Sequence, residues 1–251
     1  MNWALVTGAG QRLGRAVALE LGKHGRGVVV HYRRSAAEAE AEAVVAEIRA
    51  ANGRAVAVGA DLDDPAARTA LIGEATRAAG AVLTALVNCA AIFEHDTIDT
   101  FSQALLDKHM ATNAVTPALL AREFAEALPE DGRGVVVNFL DFKLANPYPD
   151  HFSYTLSKYA LSGATDLLAR ALAPRVRVNA VAPGYVLPAP GQSDADYRRL
   201  HDETPLKHGP TPEEIAHTVR FLIENPSVTG QTIYVDGGRR FVTYERDMGF
   251  M

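Results

Sequence analysis

The chain has 251 residues, of which 48% are apolar and 22% are charged. This composition is typical of a globular protein and excludes the disordered, collagen-like and disulfide-stapled classes. The 25 basic and 30 acidic side chains leave a net charge of −5, so neither nucleic acid nor an anionic membrane is an expected partner. Cys89 is the only cysteine, which excludes an intramolecular disulfide and a cysteine-rich zinc site.

Targeting and metal-binding patterns are absent from the sequence. Residues 1–7 lead into a glycine-rich turn without the basic start and long apolar stretch of a signal peptide. No run of 18 apolar residues is present, so we expect no transmembrane helix and a cytoplasmic location. The eight histidines do not have the spacing of a metal site beside a carboxylate, so no metal is expected.

Apolar, β-branched segments alternate along the chain with alanine-rich segments of helical periodicity. Strands are predicted at residues 3–7, 27–32, 54–59, 83–88, 134–139, 175–181 and 231–235, and helices at 13–23, 36–51, 65–79, 114–128 and 154–173. This alternation is typical of right-handed βαβ units with a parallel sheet. Without a linker or an internal repeat, the sequence predicts one doubly wound α/β domain over residues 1–251.

The least regular segment covers residues 183–212 and contains six prolines. It follows a late predicted strand and precedes a helical pattern. Ligands in doubly wound folds bind outside the carboxyl ends of the strands, where such a segment lies. We therefore expect a candidate substrate lid over 183–212.

A glycine-rich turn, from Thr7 to Gly14, follows the first predicted strand. Glycines let the backbone approach a pyrophosphate, and the N-terminus of the next helix offers N–H donors and the positive end of its dipole. A tight strand-to-helix connection is the alternative interpretation. Because the turn lies inside a βαβ unit, the pattern predicts a dinucleotide-binding site.

The end of the second predicted strand indicates which dinucleotide is bound. NAD enzymes usually place an acidic residue there to bind the ribose 2′-hydroxyl, whereas residues 31–35 here read His-Tyr-Arg-Arg-Ser. Arg33 and Arg34 can form paired, charge-assisted hydrogen bonds to a 2′-phosphate. The sequence therefore predicts NADPH as the cofactor, and a solvated basic loop is the alternative.

Tyr154 and Lys158 lie four residues apart in a helical pattern and so share one helix face. An ammonium group beside a phenol favours the phenolate, so we expect the pKa of Tyr154 to be lowered. Tyr154 would then serve as a proton donor near neutral pH. A surface pair without a chemical role is the alternative.

These features together resemble the short-chain dehydrogenase/reductases. The matching segments occur in the family's order: Thr7-Gly8, Asp61-Leu62, Asn88-Cys89-Ala90-Ala91, Asn113, residues 138–158, Asn179, Pro183-Gly184, Thr229-Gly230 and Asp236-Gly237-Gly238. The resemblance implies a Rossmann fold, a nicotinamide cofactor and a homotetramer.

Two of three departures from the usual family pattern resemble the pteridine and dihydromonapterin reductases. Arg12 stands where the middle glycine of the turn is usual, Asp141 where the catalytic serine is usual, and Asn88-Cys89-Ala90-Ala91 where Asn-Asn-Ala-Gly is usual. Arg12 and Asp141, together with residues 31–35 and with Phe93 after the fourth predicted strand, carry this resemblance. An ionised Asp141 cannot donate a proton to a carbonyl oxygen, but it suits a substrate nitrogen that donates or gains a proton. Capping of the following loop is the alternative role for Asp141.

The resemblance also implies roles for individual residues. Asn113 would anchor a water that connects Lys158 to solvent, or else bond within a bent helix. Phe93 would stack on a pterin, and its alternative role is packing in the core. Arg12 would contact the cofactor phosphates or the pterin, and its alternative is a surface arginine without such a contact. Tyr185 lines the pocket or packs in the core.

The complete predicted site combines these residues. Its catalytic members are Asp141, Tyr154, Lys158 and Asn113, and its substrate-binding members are Arg12, Phe93, Asp141, Tyr154 and Tyr185. The cofactor-binding members are Gly8, Gln11, Arg12, Leu13, His31, Tyr32, Arg33, Arg34, Ser35, Asp61, Leu62, Asn88, Ala90, Tyr154, Lys158, Pro183 and Gly184.

Three functions are compatible with these residues. The first is NADPH-dependent reduction of 7,8-dihydromonapterin or a related dihydropterin to the tetrahydro form, with dihydrofolate as a second substrate. The second is a carbonyl reductase of the same family, which a panel of ketones would reveal. The third is a regulatory protein that binds NADPH without turnover, although such a protein has no need for a proton donor.

Overall fold

Seven parallel strands form one sheet in the part of the chain that the computed structural model describes, which is residues 2–33, 37–188, 193–243 and 245–246. The strands are β1 (Trp3–Val6), β2 (Gly27–Tyr32), β3 (Ala55–Gly59), β4 (Leu83–Asn88), β5 (Gly134–Phe139), β6 (Val176–Pro183) and β7 (Thr232–Val235). Their spatial order is β3-β2-β1-β4-β5-β6-β7. This is the doubly wound order that the alternation of strands and helices predicted, and the fold prediction is confirmed.

Helices cover both faces of the sheet. They are α1 (Arg12–Lys23), α2 (Glu38–Ala50), α3 (Pro65–Ala79), α4 (Gln103–Met110), α5 (Thr116–Ala127), α6 (Phe152–Ala171), α7 (Asp194–Asp202) and α8 (Pro212–Glu224). A turn of π-helix (Ala111–Val115) joins α4 to α5, and two short 3-10 turns cover Phe142–Ala145 and Arg239–Phe241. No helix in the described ranges is both long and apolar enough to cross a bilayer.

Alternate side chains of the interior strand β1 contribute to the two halves of the core. Ala4 and Val6 point to one face, where residues of α1, α2 and α8 pack, and Leu5 points to the other, where residues of α3 and α5 pack. This period-two alternation within a wholly apolar strand is typical of parallel sheets that are covered on both sides.

The helices that the sequence did not predict have a weak apolar pattern. The segment Asp194–Asp202 reads DADYRRLHD, and its N-cap Ser193 accepts a hydrogen bond from the Asp196 amide. It lies within the predicted lid, while residues 189–192 of that lid lie outside the described residues. The predicted helix at 114–128 instead begins in the π-turn and becomes α-helical at Thr116.

The order of the strands positions the site. The chain runs from β1 outward to β3 and then crosses to β4 on the other side of β1. The connections that follow β1 and β4 therefore leave in opposite directions, and a crevice opens at the carboxyl ends of these strands.

Candidate active site

A cleft of about 480 Å³ opens at this crevice. Predicted site residues that line it are Gly8, Gln11, Arg12, Leu13, His31, Tyr32, Arg33, Asp61, Leu62, Ala90, Asp141, Tyr154, Lys158, Pro183 and Gly184. The structure therefore brings the glycine turn and the Tyr154–Lys158 pair into one cavity. Described residues that were predicted for the site but do not line this cleft are Asn88, Phe93, Asn113 and Tyr185.

Gly8 and Gly14 form a cradle in the glycine turn, a space that side chains at these two positions would occupy. Gly8 has a φ of +65°, and a Cβ on it would lie 3.1 Å from the Ala90 Cα. A Cβ on Gly14 would lie 2.2 Å from the Gly8 carbonyl oxygen. Helix α1 then begins without a side-chain cap from Gln11. The first-turn N–H donors thus face the cleft, an arrangement that fits a pyrophosphate.

The side chain of His31 fixes the glycine turn by hydrogen bonds. Its Nδ1 accepts a hydrogen bond from the Gly8 amide at 3.1 Å, and its Nε2 donates to the Ala60 carbonyl at 3.1 Å. Burial lowers the pKa of His31 to about 4, so the ring stays neutral and the proton resides on Nε2. His31 therefore bridges the ends of β1 and β3.

Thr7 joins the two sides of the crevice, a role that the sequence analysis did not assign to it. Its hydroxyl accepts hydrogen bonds from the amides of Cys89 and Ala90, each at 3.0 Å. Its position directly before Gly8 was the available sequence signal. Burial raises the pKa of Cys89 to about 12, so this cleft-lining thiol is not ionised.

Arg33 lies at the opening of the cleft beyond β2. Its guanidinium contacts Asp61 at 3.3 Å and Asp63 at 2.9 Å. Asp63 also accepts a hydrogen bond from the Thr112 hydroxyl at 2.8 Å. No motif in the sequence predicts this contact. Two further predicted residues of this end, Arg34 and Ser35, lie outside the described residues.

Asp141 and Tyr154 meet inside the cleft. The Tyr154 hydroxyl donates to Asp141 Oδ2 at 2.8 Å, and Asp141 Oδ1 accepts from the Lys143 amide at 2.9 Å. Asp141 therefore caps the 3-10 turn with one oxygen and binds the phenol with the other. Capping, one of the two alternative roles, is therefore observed, and the role of Asp141 toward a substrate nitrogen stays a prediction.

Burial determines the protonation of this pair. It raises the pKa of the Asp141 carboxyl and outweighs the hydrogen bonds and lysine charges that lower it. The pKa of Tyr154 is raised well above its usual value by burial and by the adjacent Asp141. The expectation of a lowered Tyr154 pKa was therefore wrong for this structure, because desolvation and a carboxylate outweigh the ammonium.

Lys158 lies deeper in the same wall. Its Nζ donates to the Phe139 carbonyl at 2.8 Å and lies 5.6 Å from the centre of the Tyr154 ring. Burial lowers the pKa of Lys158 to about 8, although Asp141 acts in the opposite direction. Lys158 therefore changes its charge within the pH range in which enzymes work.

Asn113 is buried in the π-turn between α4 and α5. Its Nδ2 donates to the Ile92 carbonyl at 3.0 Å and to Ser157 Oγ at 3.1 Å, and its Oδ1 accepts from the Ile92 amide. The side chain thus joins the π-turn to the segment after β4 and to α6, so it does not bond within its own bent helix, and the water-anchoring role of Asn113 stays a prediction. Pro117 has no N–H, so the Asn113 carbonyl receives no ordinary helical bond from that position.

Phe93 and Tyr185 lie beside the cleft in different environments. Phe93 is 58% exposed, and its ring lies edge-to-face with Tyr154 at 4.6 Å. Tyr185 packs at 5.3 Å against Phe142 and shares a hydrogen bond with the Tyr148 hydroxyl. Phe93 is therefore open to solvent beside the cleft, whereas Tyr185 packs against neighbouring aromatic side chains.

Two other predicted residues have contacts that sequence spacing did not reveal. The side chain of Asn88 is buried and donates to Asn138 Oδ1 at 2.9 Å, so it ties β4 to β5 instead of facing the cleft. Arg12 has a φ of +50° and reaches towards the Pro188 carbonyl at 3.5 Å. It thereby connects the glycine turn to the segment that follows β6.

The doubly wound sheet, the glycine cradle and the paired Tyr154 and Lys158 define a dinucleotide-dependent oxidoreductase. A family model described as Enoyl-(Acyl carrier protein) reductase matches residues 8–240. The chain belongs to this family of short-chain dehydrogenases/reductases, whose cofactor is NAD(P)H, and the family prediction is confirmed. In the described ranges, no group of three metal-ligating side chains is present.

Solved structures and characterised relatives resemble the chain over nearly its full length. The FolM alternative dihydrofolate reductase 1 of Brucella suis, in complex with NADP, is 41% identical with a TM-score of 0.91, covering 98% of this chain and 97% of that one. The Brucella canis protein of the same description, also with NADP, is 40% identical with a TM-score of 0.91 and covers 98% and 96%. The 3-oxoacyl-(acyl-carrier-protein) reductase FabG of Staphylococcus aureus is 32% identical and covers 94% and 96%.

Proposed function

We propose that this protein is an NADPH-dependent reductase of dihydropterins, acting on 7,8-dihydromonapterin or a related dihydropterin, with dihydrofolate as a second substrate. The observation that carries the proposal is the hydrogen bond between Tyr154 and Asp141 at 2.8 Å. A carboxyl group that replaces the usual serine hydroxyl suits a nitrogen atom better than a carbonyl oxygen. The likeness to two dihydrofolate reductases supports the same substrate class.

The chain's residues fit the cofactor. The cradle of Gly8 and Gly14 would hold the pyrophosphate, Arg33 the 2′-phosphate, and Lys158 the nicotinamide ribose. When bound, NADPH supplies the hydride that reduces the carbon of the substrate C=N bond. The complexes of both Brucella proteins with NADP support this choice of dinucleotide.

The protein's part in the reaction is to hold and deliver one proton. The raised pKa of Asp141 favours a proton shared with Tyr154, whose hydroxyl remains protonated. The substrate nitrogen takes that proton as its carbon gains the hydride. Asn113 would anchor the water through which Lys158 and Tyr154 regain a proton from solvent.

A carbonyl reductase is the second candidate function, and its support is the 32% identity to FabG. The test is NADPH consumption by the purified protein, followed by its near-ultraviolet absorbance, with dihydropterins and dihydrofolate in one arm and ketones in the other. Consumption with dihydropterins alone supports our proposal, whereas consumption with ketones alone supports the carbonyl reductase. A protein that binds NADPH and oxidises it with none of these substrates would instead be regulatory.

Replacement of Arg33 by alanine tests the choice of dinucleotide. Because the change removes a cation and leaves Asp61 and Asp63 unneutralised, we expect the Kd for NADPH to rise by about 10-fold or more and that for NADH by less than about twofold. Fluorescence titration of each cofactor measures this. Arg15→Ala is the control, because Arg15 pairs with Glu47 on the protein surface. Equal losses for both cofactors would contradict the assignment.

The activity should depend on the charge of Lys158. Its ammonium is present below its pKa of about 8, so we expect kcat/KM to be level at lower pH and to fall as the pH rises through about 8. Lys158→Arg keeps a cation to far higher pH, so the remaining activity of this variant should lack that decline. A wild-type profile that stays level well above pH 8 would show that this ammonium is not required.

A second copy of the chain is the expected partner, and we propose the homotetramer that the family resemblance implies. Leu156, Tyr159 and Leu167 are exposed on one face of α6, and a Cβ on Gly163 between them would meet open space. A neighbouring helix can approach such a face closely. Light scattering of the purified protein measures its mass, and a monomer would overturn the proposal. The cytoplasmic location stays a prediction from sequence.

A further inference from the structure

The exposed ring of Phe93 is backed by a second ring. Phe93 and His151 are stacked, with 4.0 Å between ring centroids and 21° between ring planes. Phe93 is 58% exposed, whereas His151 is only 6% exposed. One face of the phenyl ring is therefore covered by the imidazole, and the other is available to a ligand.

His151 is anchored once through its ring and once through its backbone. Its Nδ1 lies 3.1 Å from the carbonyl of Glu94, which can only accept, so Nδ1 carries the proton and donates it. Its own carbonyl accepts from the amide and the hydroxyl of Thr155 at 2.9 and 2.8 Å. The imidazole thus joins the strand-end segment that carries Phe93 to the first turn of α6.

The backbone of His151 has a positive φ. It has a φ of +58° and a ψ of +51°, the left-handed conformation, at the residue before α6. Apart from glycine, asparagine, aspartate and histidine are the residue types that adopt this conformation most readily. It aims the imidazole back under Phe93, while Tyr154, three residues later, meets the same phenyl ring edge-on at 4.6 Å.

We infer that His151 is a positioning residue for the substrate. It fixes the plane of Phe93, so that the open face of the phenyl ring forms a platform for a flat fused heterocycle directly beside the Tyr154 hydroxyl. The inference rests on the proposed reduction of dihydropterins. It assigns the alignment of the substrate ring to a residue that itself touches neither substrate nor cofactor.

His151→Asn is the sharpest test. Asparagine tolerates the left-handed backbone and keeps an N–H donor near the position of Nδ1, but it lacks the rest of the ring. We expect KM for the dihydropterin to rise about three- to tenfold, the scale of a lost aromatic contact, with kcat changed by less than about twofold. The Kd for NADPH and the thermal midpoint stay at wild-type values.

A double-mutant cycle separates a positioning role from a general structural one. If His151 acts through Phe93, the Phe93→Ala and His151→Asn changes are not additive, and the double variant has the KM of Phe93→Ala alone. His151→Gly, which accepts the same backbone angles, repeats the test should the asparagine variant not fold. His217→Asn, on the exposed face of α8, is the matched control and leaves KM unchanged.

The outcomes distinguish this inference from the proposed function. An unchanged KM in His151→Asn, or additive effects in the cycle, would overturn the positioning role while leaving the reductase intact. A fall in kcat, NADPH affinity and thermal midpoint together would show that His151 only holds the fold. Wild-type protein that reduces no dihydropterin would overturn both.

Discussion

Serine in place of Asp141 lowers dihydropterin reduction by about 100- to 10,000-fold, the usual contribution of a general acid or base. Serine still caps the turn that begins at Phe142, so the loop is retained. What is lost is the carboxyl oxygen that accepts the Tyr154 hydroxyl at 2.8 Å and the proton that its raised pKa allows it to hold. Steady-state kinetics with a saturating dihydropterin measure the effect.

The binding of NADPH is expected to be unaffected by this change, as fluorescence titration can establish. Asp64→Ser is the matched control, because Asp64 also caps a helix, accepting from the Ala66 amide at 2.9 Å, but lies outside the cleft lining. It leaves the turnover rate at its wild-type value. Unchanged turnover in Asp141→Ser would show that Asp141 is a loop cap without a chemical role.

Phenylalanine in place of Tyr154 has an effect of similar size. The ring and its edge-to-face contact with Phe93 remain, and only the hydroxyl that donates to Asp141 is removed. We expect kcat to fall by about 100- to 10,000-fold, because the change breaks the Tyr154–Asp141 pair that shares the proton destined for the substrate nitrogen. Single-turnover mixing of the NADPH-loaded protein with the dihydropterin measures the chemical step directly.

Tyr159 provides the control for this change. It lies on the same helix and its hydroxyl donates to the Leu144 carbonyl at 3.0 Å, away from the cleft lining. Tyr159→Phe should therefore retain the wild-type rate. If Tyr154→Phe retained it as well, the proton would have to come from another group, and the Tyr154–Asp141 pair would not explain catalysis.

Local patterns were sufficient to predict the fold and the place of the cleft. Continuous apolar runs such as 28–30 and 135–137 identify strands that are buried on both faces, and every predicted strand is present within two residues of its expected bounds. A glycine turn between a strand and a helix indicates the cofactor end without further information. Two short helices were missed. Gln103–Met110 is only eight residues long, too short to show a helical period, and Asp194–Asp202 is mostly polar.

The sequence also identified Asp141, Tyr154 and Lys158 as a chemical group, but it predicted the wrong direction for the pKa of Tyr154. An i,i+4 spacing places the tyrosine and lysine on one helix face, yet it contains no information on burial or on which group accepts the phenol's hydrogen bond. Desolvation and a carboxylate at 2.8 Å raise that pKa. Both depend on chain segments far apart in sequence.

Residue types at short spacing thus determine strands, helices and the chemistry available at their ends, because these depend on local backbone preferences and side-chain periodicity. The tertiary structure alone decides which partners those groups meet. The stacking of His151 under Phe93, the hold of His31 on the Gly8 amide and the pairing of Arg33 with Asp63 each join residues 23 to 58 positions apart in the chain. No sequence period reports such contacts, since they arise only when the sheet brings its strand ends together.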